Sequence, residues 1–191
     1  MMPIEVPFNR SYLPTLFRQL GYRTGAEIGV RRGSFSLQLC LTIPGLRLTC
    51  VDAWTQYPTS PQLPSQARQE SNYRETVEKL KGYDVKIMRA MSMDAVKIVP
   101  FESLDFVYVD AHHGYSYVME DIVEWSQRVH PNGIISGDDY DAPGVRQAVD
   151  ECVGRNFVNT WYTTKPPRVS WFWLRCGVEI GNDIQLLHPL S

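Results

Sequence analysis

Residues 25–35 read GAEIGVRRGSF, and no other stretch constrains the fold as much. An apolar run ends on Gly29, Gly33 closes the short loop, and a helix-compatible segment follows at once. Ala26, Ile28 and Val30 give residues 26–30 strand character, and residues 34–41 suit a helix. Strand, glycine loop and helix form the unit from which parallel sheets are built. At such a junction a ligand can approach the backbone closely, with unpaired helix-terminal N–H groups facing it. The sequence offers no obvious structural demand for the two glycines, which leaves a ligand-driven loop and a purely steric strand ending both open. Their spacing is G-x-x-x-G, with Glu27 two residues before the first. A dinucleotide site reads G-x-G-x-x-G, and a carboxylate beside the loop suits a cationic ligand better than a pyrophosphate.

The rest of the chain keeps alternating strand and helix. Residues 11–20 form a short amphipathic helix through Leu13, Leu16, Phe17 and Leu20. Residues 46–51 are an apolar strand ending on Asp52, 25 residues after Glu27. A mononucleotide-binding fold places its acceptor for ribose hydroxyls at that strand tip. Residues 53–66 carry Pro58, Pro61 and Pro64, which exclude helix and central strand. A binding lid and a passive insertion both remain open for this loop. A polar helix over 67–80 precedes a strand over 85–90 and the pair Met91-Ser92. Residues 103–110, SLDFVYVD, are the strongest strand, apolar enough for the centre of a parallel sheet, and they end on Asp110. A helix over 115–129 is stopped by Pro131, and Asn132-Gly133 turns the chain into a strand that ends at Asp138-Asp139. A helix over 145–153 and two aromatic strands, 160–164 and 170–175, complete the order, the last two as antiparallel neighbours.

Composition limits the function. The 191 residues are 43% hydrophobic and 21% charged, as expected of one soluble globular domain with a real core. A net charge of −2 without a Lys/Arg run argues against nucleic acid. No stretch approaches the ~18 apolar residues of a membrane span, and the start MMPIEVPFNR lacks the apolar run of a signal peptide, so the cytoplasm is the expected location. Cys40, Cys50, Cys152 and Cys176 show no C-x-x-C spacing and read as separate thiols in a reducing compartment.

Glu27, Asp52, Asp110, Asp138 and Asp139 therefore gather at one sheet edge. Burying them for packing alone would be costly, since each charge needs a partner. A functional cleft explains them better. The segments E-I-G-V-R-R-G, V-D-A-W, D-F-V-Y-V-D-A-H-H-G-Y and N-G-I-I-S-G-D-D-Y resemble the ordered motifs of class I S-adenosylmethionine-dependent methyltransferases, over roughly residues 25–153. Within that superfamily the chain is most similar to small bacterial and phage-type O-methyltransferases related to the catechol and macrolide-sugar enzymes; G-V-R-Q-A-V-D-E fits as well.

The resemblance implies an α/β, single-domain Rossmann-like fold. Its sheet would be mostly parallel and seven-stranded, flanked by helices, with an antiparallel C-terminal strand pair. Residues 1–24 would be an N-terminal helical cover, 25–153 the cofactor-binding and catalytic core, and 154–191 the C-terminal aromatic strands. It further implies that Glu27, Gly29 and Gly33 hold the methionine part of S-adenosylmethionine, and Asp52 the ribose hydroxyls. Met91 and Ser92 would form the adenine rim, with Trp54 and Asp110 as neighbours. Asp110 begins the catalytic motif, and His113 stands where the catechol enzymes carry a lysine. An imidazole, with an unperturbed pKa of about 6.5, suits a general base near neutrality.

Asp110, Asp138 and Asp139 would hold magnesium, manganese or calcium. A metal-free site balanced by His113 and Arg146 stays equally open. Packing is the expected role of Tyr115, Tyr140, Trp161, Trp171 and Trp173, with an acceptor pocket as the alternative. The implied function is methyl transfer to a hydroxyl of a small molecule or sugar, with room for a homo-oligomer. A metal-dependent hydrolase on the aspartates, and an inactive cofactor- or sugar-binding module, are the alternatives.

Overall fold

In the computed structural model, residues 4–6, 9–56, 64–156, 161–163 and 169–175 are described. Pro58, Pro61, the 165–168 linker and Cys176 lie outside them, as do the side chains of 161–163. The sheet is built around strand β5, Leu104–Val109, in which every residue but Asp105 is buried. An apolar run of this kind is stable only where both faces are covered. β5 pairs in parallel with β2 (Thr24–Ile28) and β6 (Val129–Gly137). β3 (Arg47–Asp52) and β4 (Val85–Arg89) extend the parallel sheet beyond β2. On the other side β8 (Trp171–Leu174) runs antiparallel to β6, and β7 (Trp161–Thr163) antiparallel to β8. β1 (Ile4–Val6) pairs in parallel with β7 and completes the order β1-β7-β8-β6-β5-β2-β3-β4. The fold is the mostly parallel Rossmann-like sheet with an antiparallel C-terminal pair. β1 makes it eight strands where seven were expected, because three residues are too short to show an alternation.

Alternation along β5 divides the core in two. Phe106 and Tyr108 point to one face, where they meet Leu13, Leu16 and Phe17 of α1 (Leu13–Gln19), Phe35 and Leu39 of α2 (Ser34–Thr42), and Tyr73 of α3 (Gln66–Lys79). Phe17 stacks on Phe106 with ring centroids 4.3 Å apart. Val107 and Val109 point the other way. There they pack against Ala95 of α4 (Ser92–Ala95), Val118, Ile122 and Trp125 of α5 (Tyr115–Ser126), and Ala148 and Val149 of α6 (Pro143–Asn156). Each fully buried side chain of this size is worth about 1.5–3 kcal/mol. Among the described residues no helix is long and apolar enough to cross a membrane.

One boundary differs from the sequence reading. α5 stops at Ser126, and β6 already begins at Val129, so Pro131, Asn132 and Gly133 lie inside a strand whose register on β5 shifts between Leu104 and Phe106. Asn132 has φ 75, and its carbonyl accepts the Tyr22 hydroxyl at 2.6 Å. The expected turn is a bulge held by that bond.

The strand order sets the position of the site. From β2 the sheet grows one way to β3 and β4 and the other way to β5 and β6. Open parallel sheets bind ligands at the carboxyl ends of the strands where the order divides. Here that crevice lies between the ends of β2 and β5.

Candidate active site

The loop after β2 is shaped by its neighbours. Gly29 has φ +93, and a Cβ there would lie 2.1 Å from the Asp110 carbonyl oxygen. Its N–H donates to the Val51 carbonyl at 2.8 Å. Gly33 caps α2 at φ +67, with Thr76 Cγ2 3.2 Å from its would-be Cβ. Gly29 is therefore required by backbone conformation and close main-chain approach, and Gly33 by its positive φ beside the Thr76 side chain, so the steric cause applies at both. Between them Arg31, also at positive φ (54), accepts the Trp54 indole N–H at 2.8 Å and the Thr76 hydroxyl at 3.2 Å on its carbonyl.

A cleft of about 380 Å³ opens at the strand ends, lined among others by Arg10, Glu27, Gly29, Arg31, Asp110 and His113. Glu27 is buried in its wall, and the Ser36 hydroxyl donates to its Oε2. Burial pushes the Glu27 carboxyl up to about 8; Ser36 and Arg10 oppose this, and the nearby Asp110 and Asp52 reinforce it. Asp52 ends β3 and is held by two main-chain donors at 2.8 Å, the N–H of Arg31 on one oxygen and that of Trp54 on the other. A carboxylate has about four acceptor positions, so two remain for a ligand.

Trp54 departs from the expected place beside a cofactor. Its side chain is wholly buried, packs edge-on to Tyr73 and ties down Arg31, so it fastens the loop from beneath. Met91 is half exposed at the N-cap of α4. The Ser92 hydroxyl turns inward, donating to Asp121 and accepting from Trp125 Nε1 at 2.8 Å. Burial raises the Asp121 carboxyl to about 6.

Of the three aspartates expected to share a metal, Asp110 and Asp138 are bridged by Arg10. Asp138 is completely buried; Arg10 donates to its Oδ2, the Ser170 hydroxyl donates to its Oδ1 at 2.8 Å, and Trp171 Nε1 donates to its carbonyl at 3.1 Å. Arg10 also reaches Asp110 Oδ2 at 3.5 Å. Both carboxylate oxygens of Asp138 thus have protein partners, and a cation shared with Asp110 and Asp139 would lie against the Arg10 guanidinium. What the fold does gather is Asp110, His113 and Asp139, whose ligand atoms lie within 4.8 Å of one another. His113 Nε2 is 2.9 Å from Asp139 Oδ2, and Asp139 sits at a positive φ of 56. His112 instead accepts the Gly114 N–H at 2.9 Å and lies against Tyr117, a local loop role.

Arg10 is the residue the sequence reading missed. It lies 100 residues before Asp110, in a turn without periodic pattern. Burial opposes its charge, yet Tyr108, Asp138 and Asp110 together raise its pKa above the ordinary value. Arg146, expected to balance the aspartates, lies over the Tyr140 ring at 5.2 Å and donates to the Tyr140 carbonyl at 3.2 Å. Tyr140, Trp171 and Trp173 are core residues; Tyr115 donates to Glu151 at 2.8 Å.

A family described as a methyltransferase domain matches residues 26–140, more than half of the chain. No curated protein matches it in sequence. Among solved structures, the chain is similar to the O-methyltransferase TomG of Streptomyces achromogenes, involved in tomaymycin synthesis and solved with S-adenosylmethionine. The identity is 20% and the TM-score 0.67, over 87% of this chain and 79% of that one. It is also similar to an O-methyltransferase of Bacillus cereus solved with S-adenosylhomocysteine, at 15% identity and a TM-score of 0.66, over 86% and 80% of the two chains. At these identities the likeness establishes the fold.

Proposed function

The chain belongs to the methyltransferase-domain family, and on that premise we propose that it moves the methyl group of S-adenosylmethionine to a hydroxyl oxygen of a small molecule or sugar. The observation that carries this reading is the pairing, across one cleft, of a buried carboxyl, Glu27, with an imidazole–carboxylate pair, His113 and Asp139. Glu27 suits a primary ammonium and Asp52 a pair of hydroxyls, the two polar ends that a methionyl nucleoside presents. S-adenosylmethionine, when bound, supplies a sulfonium methyl carbon; the acceptor oxygen bonds to it, the carbon–sulfur bond breaks and the electron pair returns to sulfur.

Gly29 lets the β2 and β5 main chains approach closely, so that Glu27 and Asp110 line one cleft. Fixed geometry supplies much of the rate in such a displacement. The acceptor hydroxyl must lose its proton. The imidazole of His113 takes it, and the Asp139 carboxylate, 2.9 Å from Nε2, stabilises the imidazolium that results. No step of this route runs through a divalent cation.

The test is methyl transfer from labelled S-adenosylmethionine to a panel of hydroxylated acceptors. Label should appear on acceptor oxygen. In His113→Ala, turnover should fall by roughly 10²–10⁴-fold, while calorimetric affinity for S-adenosylhomocysteine stays at the wild-type value. Full turnover in that variant at every pH would remove His113 from the mechanism.

A further inference from the structure

We infer that Arg10 is the built-in cation of this site, a positioning residue whose guanidinium holds Asp110 and Asp138 together where a bound divalent ion would otherwise be needed. The inference deepens the methyl-transfer reading and rests on it.

The turn that delivers Arg10 is firmly placed. Asn9 caps it by accepting the Ser11 N–H at 3.0 Å, and Gln38 of α2 donates to the Ser11 carbonyl at 2.9 Å. Leu13, Leu16 and Phe17 then bury α1 against the sheet. From this anchor the Arg10 side chain passes over the Phe35 ring, 5.0 Å from its centroid, and its guanidinium meets both aspartates. The Arg10 side chain is a quarter exposed and lines the cleft as well as forming the ion pair.

Two carboxylates at neighbouring strand ends repel, and one that is fully buried, as Asp138 is, must be paired to stay ionised. A divalent cation is one way to meet that demand, and an arginine is another. Guanidinium is planar, never deprotonates in practice, and its N–H fork can engage two acceptors at once. Its charge arrives with the chain and does not depend on ion supply. A metal ion on Oδ2 of Asp138 would have to displace the guanidinium or sit beside it, against like-charge repulsion. Arg10 thereby fixes Asp110 at the cleft, next to Gly29 and in reach of the His113–Asp139 pair.

The test compares wild type, Arg10→Met, Arg10→Lys and the Arg10→Met/Asp138→Asn double variant, with Mn²⁺ as the probe. Mn²⁺ binding is followed by electron paramagnetic resonance, S-adenosylhomocysteine binding by calorimetry, and methyl transfer with and without chelator. Wild type should bind no Mn²⁺ at millimolar concentration, and chelator should leave its transfer rate unchanged. Arg10→Met should gain Mn²⁺ affinity by about tenfold or more and lose it again in the double variant, which folds because the unpaired buried charge is gone. Arg10→Lys should recover part of the transfer lost in Arg10→Met. Wild-type Mn²⁺ binding that Asp110→Asn abolishes would overturn the inference, as would Arg10→Met transferring methyl at the wild-type rate. Failure of wild type to bind S-adenosylhomocysteine would instead defeat the methyl-transfer reading, with the Mn²⁺ titration still judging Arg10.

Discussion

Cofactor binding should release a proton from Glu27. This carboxyl is 2% exposed, and burial raises it from an ordinary 4.5 to about 8. At pH 7 about nine in ten free molecules then carry it protonated. A cationic ammonium brought against it favours the ionised form and lowers its pKa by about 1–3 units. Binding at pH 7 should therefore release roughly 0.4–0.9 of a proton. Apparent affinity should rise with pH, by up to about tenfold per unit, and level off near pH 8. Calorimetry at pH 7 in two buffers of different ionisation enthalpy measures the release directly, and Glu27→Gln should abolish it.

The same shift acts on stability with the opposite sign. Between the unfolded value near 4.5 and the folded value near 8 the native state binds the extra proton. Its stability should therefore fall as pH rises through that window, by up to about 1.4 kcal/mol per unit. Glu27→Gln should flatten that slope. Buffer-independent binding heats together with pH-independent affinity from 6 to 8 would refute the reasoning.

Gly29→Ala must place a methyl 2.1 Å from the Asp110 carbonyl at a φ of +93. The backbone term alone is about 1–2 kcal/mol, so urea unfolding should show a loss above about 2 kcal/mol; a loss below about 1 kcal/mol would mean that the β2–β5 contact yields easily. Asp52→Ala removes the acceptor for the Arg31 and Trp54 N–H groups and for the ribose, and cofactor affinity should weaken by about 1–3 kcal/mol in calorimetry; an unchanged affinity would place the ribose elsewhere.

What could be read from the sequence was what parallel strands force on it. A strand covered on both faces must be apolar along its length, so Leu104–Val109 stands out, and the residues that end such strands, Glu27, Asp52 and Asp110, fall at one edge by topology alone. The glycines were visible, but their cause was not. A positive φ and a neighbouring main chain 2.1 Å from a would-be Cβ are properties of the assembled loop.

Three features depended on contacts between distant segments. Arg10 reaches Asp110 and Asp138 across 100 and 128 residues, and only packing of α1 on the sheet brings it there. Ser170, just before β8, claims Asp138 from 32 residues away. Trp54, beside an acid at a ligand edge, reads as a ligand contact until its indole is found to be wholly buried under Arg31. Ser36 was closer to legible, since it stands on the helix opened by Gly33, nine residues after the acid it donates to.

The central claim is that the crevice between β2 and β5 holds a methionyl nucleoside, and binding of S-adenosylhomocysteine to the wild-type protein tests it most directly. Titration calorimetry should give saturable one-to-one binding, with thermal stabilisation that grows with ligand concentration as mass action requires. No binding heat and no shift in melting temperature at millimolar S-adenosylhomocysteine would contradict it.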